Sequence, residues 1–117
     1  EAFCRCAAVA QHFGHRFNRE TQDTFGKLSF ANVHFYCVDN SSGNPQFFVG
    51  EDFIQGHFTK LNNNTSYVNH HEYCRHSEIA QAFSHYTYER SYNELLVADI
   101  QGVCGEDERG LYCVFSD

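Results

Sequence analysis

LLVADIQGV (Leu95 to Val103), preceded by FSHYTYERS (Phe83 to Ser91), is the stretch on which the architecture turns. Four apolar residues, a lone Asp99, Ile100, then Gln101 and Gly102 read as a buried strand over 94–100. Such a strand delivers an acid and an amide at its carboxyl end, where a chain turns out into a cleft. Just upstream, Ser77 can cap a helix and Glu78 complements its amino-terminal dipole. Ile79, Ala82, Phe83, Tyr86 and Arg90 then follow at three- and four-residue steps until Ser91, Tyr92 and Asn93 break the pattern.

Outward from this helix and strand, the remaining segments fall into place in turn. LYCVF (Leu111 to Phe115) is strand-like and runs directly into Ser116 and Asp117. Residues 1–19 place Phe3, Cys6, Ala7, Ala10, Phe13, Gly14 and Phe17 at helical spacing, an amphipathic helix laid against a sheet. Residues 20–31 lose the period and read as a loop. VHFYCVD (Val33 to Asp39) and QFFVGE (Gln46 to Glu51) flank NSSGNP, which predicts an antiparallel hairpin. Gly50 to Val68, with Gly56 and three successive Asn, suits a connector between sub-domains, because Asn tolerates left-handed backbone. The order is helix, hairpin, connector, helix, strand, strand, an α+β pattern without repeated βαβ units.

Composition sets the bounds. The chain has 117 residues, 42% hydrophobic and 20% charged, which is the range of one globular domain. Eight Lys and Arg against fifteen Asp and Glu give a net charge of −7. The basic residues are scattered singly, so nucleic acid and anionic membrane are not expected partners. No apolar run is long enough for a membrane span, and no signal peptide is legible. The start at Glu1, the absence of Met and the strand at the carboxyl end point to an internal fragment. Six cysteines could make three disulfides in a secreted chain. Their places in helix and strand patterns favour reduced, mostly buried thiols instead. Three N-glycosylation patterns, at Asn40, Asn63 and Asn64, carry little weight without a secretory signal.

Candidate chemistry centres on the opening stretch. On a strand, Asp99 and Gln101 face the same side, and an acid with an amide oxygen can hold a divalent cation and orient a hydroxyl. Asp117 ends a second predicted strand, and a hairpin between the two would return it to that pair. His70, His71, Cys74 and His76 form a dense cluster, but their spacing matches no usual zinc arrangement and reads as a solvated loop. His85 lies mid-helix beside the apolar face. No phosphate-binding Gly-rich loop, nucleophile elbow or Cys-x-x-Cys is present.

Taken together, E-x-F-I-x-G, K-x-N-N-N, A-F-S-H-x-T-Y and D-I-Q-G-V, in this order between Phe47 and Val103, resemble the alpha-type (atypical) protein kinases. The resemblance implies an incomplete two-lobed kinase-like fold. Residues 1–50 would be the remainder of the amino-terminal lobe, 51–68 the hinge and connector, and 69–117 the start of the carboxyl-terminal lobe. It also implies serine/threonine phosphorylation of a protein substrate with ATP and Mg²⁺, in the cytoplasm. By similarity Asp99 would be the catalytic acid, Gln101 and Asp117 would hold Mg²⁺, and Glu51, Asp52, Phe53 and Ile54 would meet the nucleotide. His85 would be one ligand of a structural Zn²⁺ whose other ligands lie beyond Asp117. The ATP-contacting Lys strand and the Gly-rich segment are likewise absent, so the segment alone is expected to be inactive. The rival reading is a kinase-like binding module with an idle site; a disulfide-stapled secreted domain is more remote.

Overall fold

The computed structural model describes residues 2–22, 24, 26–70 and 75–116. In chain order it contains α1 (Ala2–Thr21), β1 (Lys27–Phe30), β2 (Val33–Val38), β3 (Gln46–Glu51), β4 (Phe58–Lys60), α2 (Arg75–Arg90), β5 (Gln101–Asp107) and β6 (Gly110–Ser116). Four strands form one mixed sheet in the order β1-β6-β5-β4, and β2 with β3 forms a separate two-stranded sheet.

α1 buries Ala7, Phe13, Gly14 and Phe17, four of the seven residues of the predicted face. Its Asn18 donates through Nδ2 to the Leu28 carbonyl at 2.6 Å and accepts the Leu28 amide at 3.0 Å. One side chain thus satisfies both backbone groups of a strand residue that is itself fully buried. This corrects the loop expected over residues 20–31. The strand there has only four residues and pairs in parallel with β6, Phe30 opposite Phe115. A strand whose partner lies so far along the chain leaves no local periodicity to read.

The core lies between the two helices and this sheet. Phe13, Phe17, Leu28, Leu61, Ile79, Ala80, Phe83, Ile100, Cys113 and Phe115 form one buried cluster. Phe17 meets Phe83 edge-on at 5.6 Å between ring centroids, and Phe30 meets Phe115 likewise at 5.6 Å. Each such ring contributes about 1.5–3 kcal/mol by burial. Elements from both ends of the chain therefore share a single interior.

The predicted hairpin forms, with Val33 opposite Glu51 and Val38 opposite Gln46. The connector after it contains β4, which pairs Phe58 with Val103 and Lys60 with Gln101. α2 ends where expected, with Tyr92 and Asn93 in left-handed backbone at φ 57° and 67°. The expected strand over 94–100 does not form, and β5 begins only at Gln101. Asp99 has φ 62°, which interrupts extended backbone. The segment before it is tied to α2 by side chains instead of by a neighbouring strand. Ser91 Oγ accepts from the Leu95 amide at 2.8 Å, and buried Thr87 Oγ1 accepts from the Val97 amide at 3.0 Å.

The described cysteines are all thiols, as expected, but only Cys113 is buried; Cys6 and Cys37 are exposed. Cys74 and His71 lie outside the described residues. Among the described residues no helix is long and apolar enough to cross a membrane.

Candidate active site

Asp99 is positioned by its neighbour. The Ile100 amide donates to Asn62 Oδ1 at 2.8 Å, and the Ile100 carbonyl accepts from the Leu61 amide at 2.8 Å. Asn62 is 4% exposed, and its Nδ2 donates to Gln81 Oε1 at 2.9 Å and Ser84 Oγ at 3.1 Å. This buried amide bolts the approach to β5 onto α2, and losing a buried partner of this kind costs about 1–3 kcal/mol. Held between Ala98 and the fixed Ile100, Asp99 takes the left-handed conformation that short polar side chains tolerate.

The Asp99 carboxylate faces solvent and meets Lys60 Nζ at 2.6 Å. Lys60 ends β4 opposite Gln101, so the acid, the amide and the ammonium come together at one end of the β4–β5 pair. This corrects the picture of Asp99 and Gln101 as alternate residues of one strand: Asp99 stands outside the strand that Gln101 opens. Lys60 and Asn62 belong to the stretch KLNNN, within the segment expected as a connector between sub-domains. Its signal was present as Lys and Asn bracketing a leucine, but only the β4–β5 register shows whom they face.

Two clefts border this centre. One is lined by Leu96, Val97, Ala98, Asp99 and Ile100 with Phe30, two α1 residues and Ser116. The other is lined by Glu51, Asp52, Phe53, Ile54, Phe58 and Ser116. The four residues expected at a nucleotide thus share one cleft, and Ser116 belongs to both walls. Asp52 is the least available of the four. Its carboxylate accepts from Asn32 Nδ2 at 2.9 Å and meets His34 Nε2 at 2.8 Å, and these bonds, Asn32 first, hold its pKa below the ordinary aspartate value. Phe53 is 92% exposed at the cleft mouth.

Asp117 lies outside the described residues; its neighbour Ser116 pairs with Gln101 across the hairpin. The oxygen donors of Asp99 and Gln101 suit a hard cation such as Mg²⁺, which keeps several of its waters and needs few protein ligands. His85 does not lie against the apolar face: its side chain is 70% exposed and pairs with Glu89 at 3.1 Å. Among the described residues no three His, Cys, Asp or Glu converge on a metal position.

The chain is similar to several known proteins. Alpha-protein kinase vwkA of Dictyostelium discoideum is 35% identical over 84% of this chain and 15% of its own length. Eukaryotic elongation factor 2 kinase of Homo sapiens is 43% identical over 85% of this chain and 13% of its own length. The chain therefore spans about a seventh of the length of these two relatives. The crystal structure of the apoenzyme alpha-kinase domain of myosin-II heavy chain kinase A superposes with a TM-score of 0.74 at 28% identity, over 97% of this chain and 41% of that domain. The same domain has been solved in complex with AMPPCP, with a TM-score of 0.72 at 27% identity over 97% of this chain and 40% of that one. The profile of the Alpha-kinase family matches residues 1–117, and the chain belongs to that family.

Proposed function

We propose that the chain is part of a serine/threonine protein kinase that transfers the γ-phosphoryl group of ATP to a protein hydroxyl. The observation that carries this reading is the placement of the Asp99–Lys60 pair and the Glu51–Ile54 cleft on either side of Ser116. ATP would lie along the second cleft, its base near Glu51 to Ile54 and its phosphates toward Gln101. Asp99 would orient the incoming hydroxyl and accept its proton, while Lys60 fixes the carboxylate and adds positive charge where phosphoryl oxygens gather. Gln101 and Asp117 would hold Mg²⁺, which supplies charge neutralisation to the phosphates when bound.

In the complete domain residues 1–50 would finish the amino-terminal lobe, 51–68 the connector and 69–117 would open the carboxyl-terminal lobe. A structural Zn²⁺ at His85 would draw its other ligands from elsewhere in the protein. The location would be cytoplasmic. Phosphoryl transfer needs its charged groups together, so residues 1–117 alone should show no turnover. The test is transfer of radiolabelled phosphate by the full-length protein. Asp99→Ala should lower kcat by about 10²–10⁴-fold, the contribution of a positioned acid–base group. An inactive full-length protein that still binds a partner would establish the non-catalytic module instead.

A further inference from the structure

The β5–β6 hairpin carries two cysteines for which phosphoryl transfer has no use. Cys104 and Cys113 are direct cross-strand partners, and Asp107 pairs with Gly110 across the two-residue turn Glu108-Arg109. In an antiparallel ladder the hydrogen-bonded pairs alternate, so counting back from the turn makes 107/110, 105/112 and 103/114 hydrogen-bonded, and 104/113 not. A second observation fixes the same phase: the Phe115 carbonyl, two residues beyond Cys113, turns away from β5 and accepts from the Ala31 amide at 2.9 Å.

Non-hydrogen-bonded partners have α-carbons about 4.5 Å apart and the closer side chains. A disulfide spans α-carbons about 4.4–6.8 Å apart. Both thiols project from the face that carries Leu111 and Phe115 into the core. Cys113 is 1% exposed, whereas Cys104 is only partly covered, so a small oxidant reaches Cys104 first. A side-chain hydrogen bond from Cys113 draws the Cys104 thiol below the ordinary cysteine range, against the opposing effect of burial. The other described cysteines lack this arrangement: Cys4 and Cys6 lie on α1, and Cys37 faces Phe47.

We propose that Cys104 and Cys113 are a peroxide-responsive dithiol that closes into a reversible cross-strand disulfide. The Cys104 thiolate attacks one oxygen of hydrogen peroxide; the O–O bond breaks, and hydroxide leaves and is protonated to water. Cys104 is then a sulfenic acid. Cys113 gives up its proton and attacks that sulfur; the S–O bond breaks, and the departing hydroxide takes the proton as a second water. Two thiols have lost two electrons to one peroxide, giving one disulfide and two waters. This site stands whether or not the protein is a kinase.

The test is a peptide map of the native full-length protein after peroxide treatment and blocking of the remaining thiols. Trypsin cuts after Arg109, in the turn, so Ser91–Arg109 and the peptide beginning at Gly110 stay joined only by the disulfide. The expected major product is that joined pair, lighter by two hydrogens and separated by dithiothreitol. Cys104→Ser should slow oxidation at Cys113 about tenfold, and Cys113→Ser should leave a Cys104 sulfenic acid that dimedone traps. Sulfinic or sulfonic Cys104 as the main product, linkage to a different cysteine, or two unmodified peptides would overturn the proposal. The map of the unaltered protein decides the matter even where a variant fails to fold.

Discussion

The two hairpins of this molecule are built alike and used differently. β2–β3 pairs six residues on six across a seven-residue polar loop, and β5–β6 seven on seven across a two-residue turn. In the first, Phe35, Tyr36, Phe47 and Phe48 are all more than half exposed. In the second, one face lies on the aromatic core, and β1 and β4 flank it on either side. Strand formation is a local matter of β-branched and aromatic residues between turn signals, whereas burial depends on which distant element arrives to cover the face.

The sharpest way to break the comparison is Phe115→Ala. A fully buried ring against Phe30 is removed, and urea unfolding should show a loss of about 3–5 kcal/mol. Gly102→Ala comes next, because a Cβ there would meet the Val114 carbonyl oxygen at 2.1 Å and Phe115 Cα at 2.8 Å, backbone that cannot step aside. Overpacking of this kind costs about 1–3 kcal/mol, and amide exchange should report opening of the β5–β6 ladder. Phe47→Ala in the exposed hairpin removes a stacked contact with Phe35 at 5.5 Å and should cost only about 0.5–1 kcal/mol by thermal melting. A larger loss there would mean that the first hairpin, too, supports the core.

The smallest effect concerns pH. The folded pKa of Asp52 is depressed, so its bonds to Asn32 and His34 stabilise the fold above the ordinary aspartate range and are lost as pH falls through the folded value. NMR titration of the Asp52 carboxyl should give a midpoint below that of an ordinary aspartate, and Asp52→Asn should flatten the response. A midpoint at or above the ordinary value would sink the assignment.

Much of this was legible in the residues and some was not. The helix ending at Arg90, the first hairpin and the terminal strand follow local rules, and the four motifs between Phe47 and Val103 carry the family. β1 escaped because its periodicity depends on β6. The stretch LLVA misled because an apolar run is ambiguous until its hydrogen-bond partners are known; here they are the side chains of Ser91 and Thr87. Lys60 and Asn62 looked like connector residues because composition cannot show that one is buried beneath the approach to β5 while the other faces Asp99. The cysteine pair was counted but not paired, since spacing alone does not give register.

The parallel seating of β1 on β6 has a consequence for biosynthesis. Lys27 waits for Tyr112, about 85 residues later, before its edge is satisfied. At about 5–20 residues per second on the ribosome, that leaves the β1 edge unpaired for roughly 4–17 s. Until β6 emerges the nascent chain presents a sticky edge with no native partner, and a chaperone that holds this stretch would guard the step at which the domain is most open to aggregation.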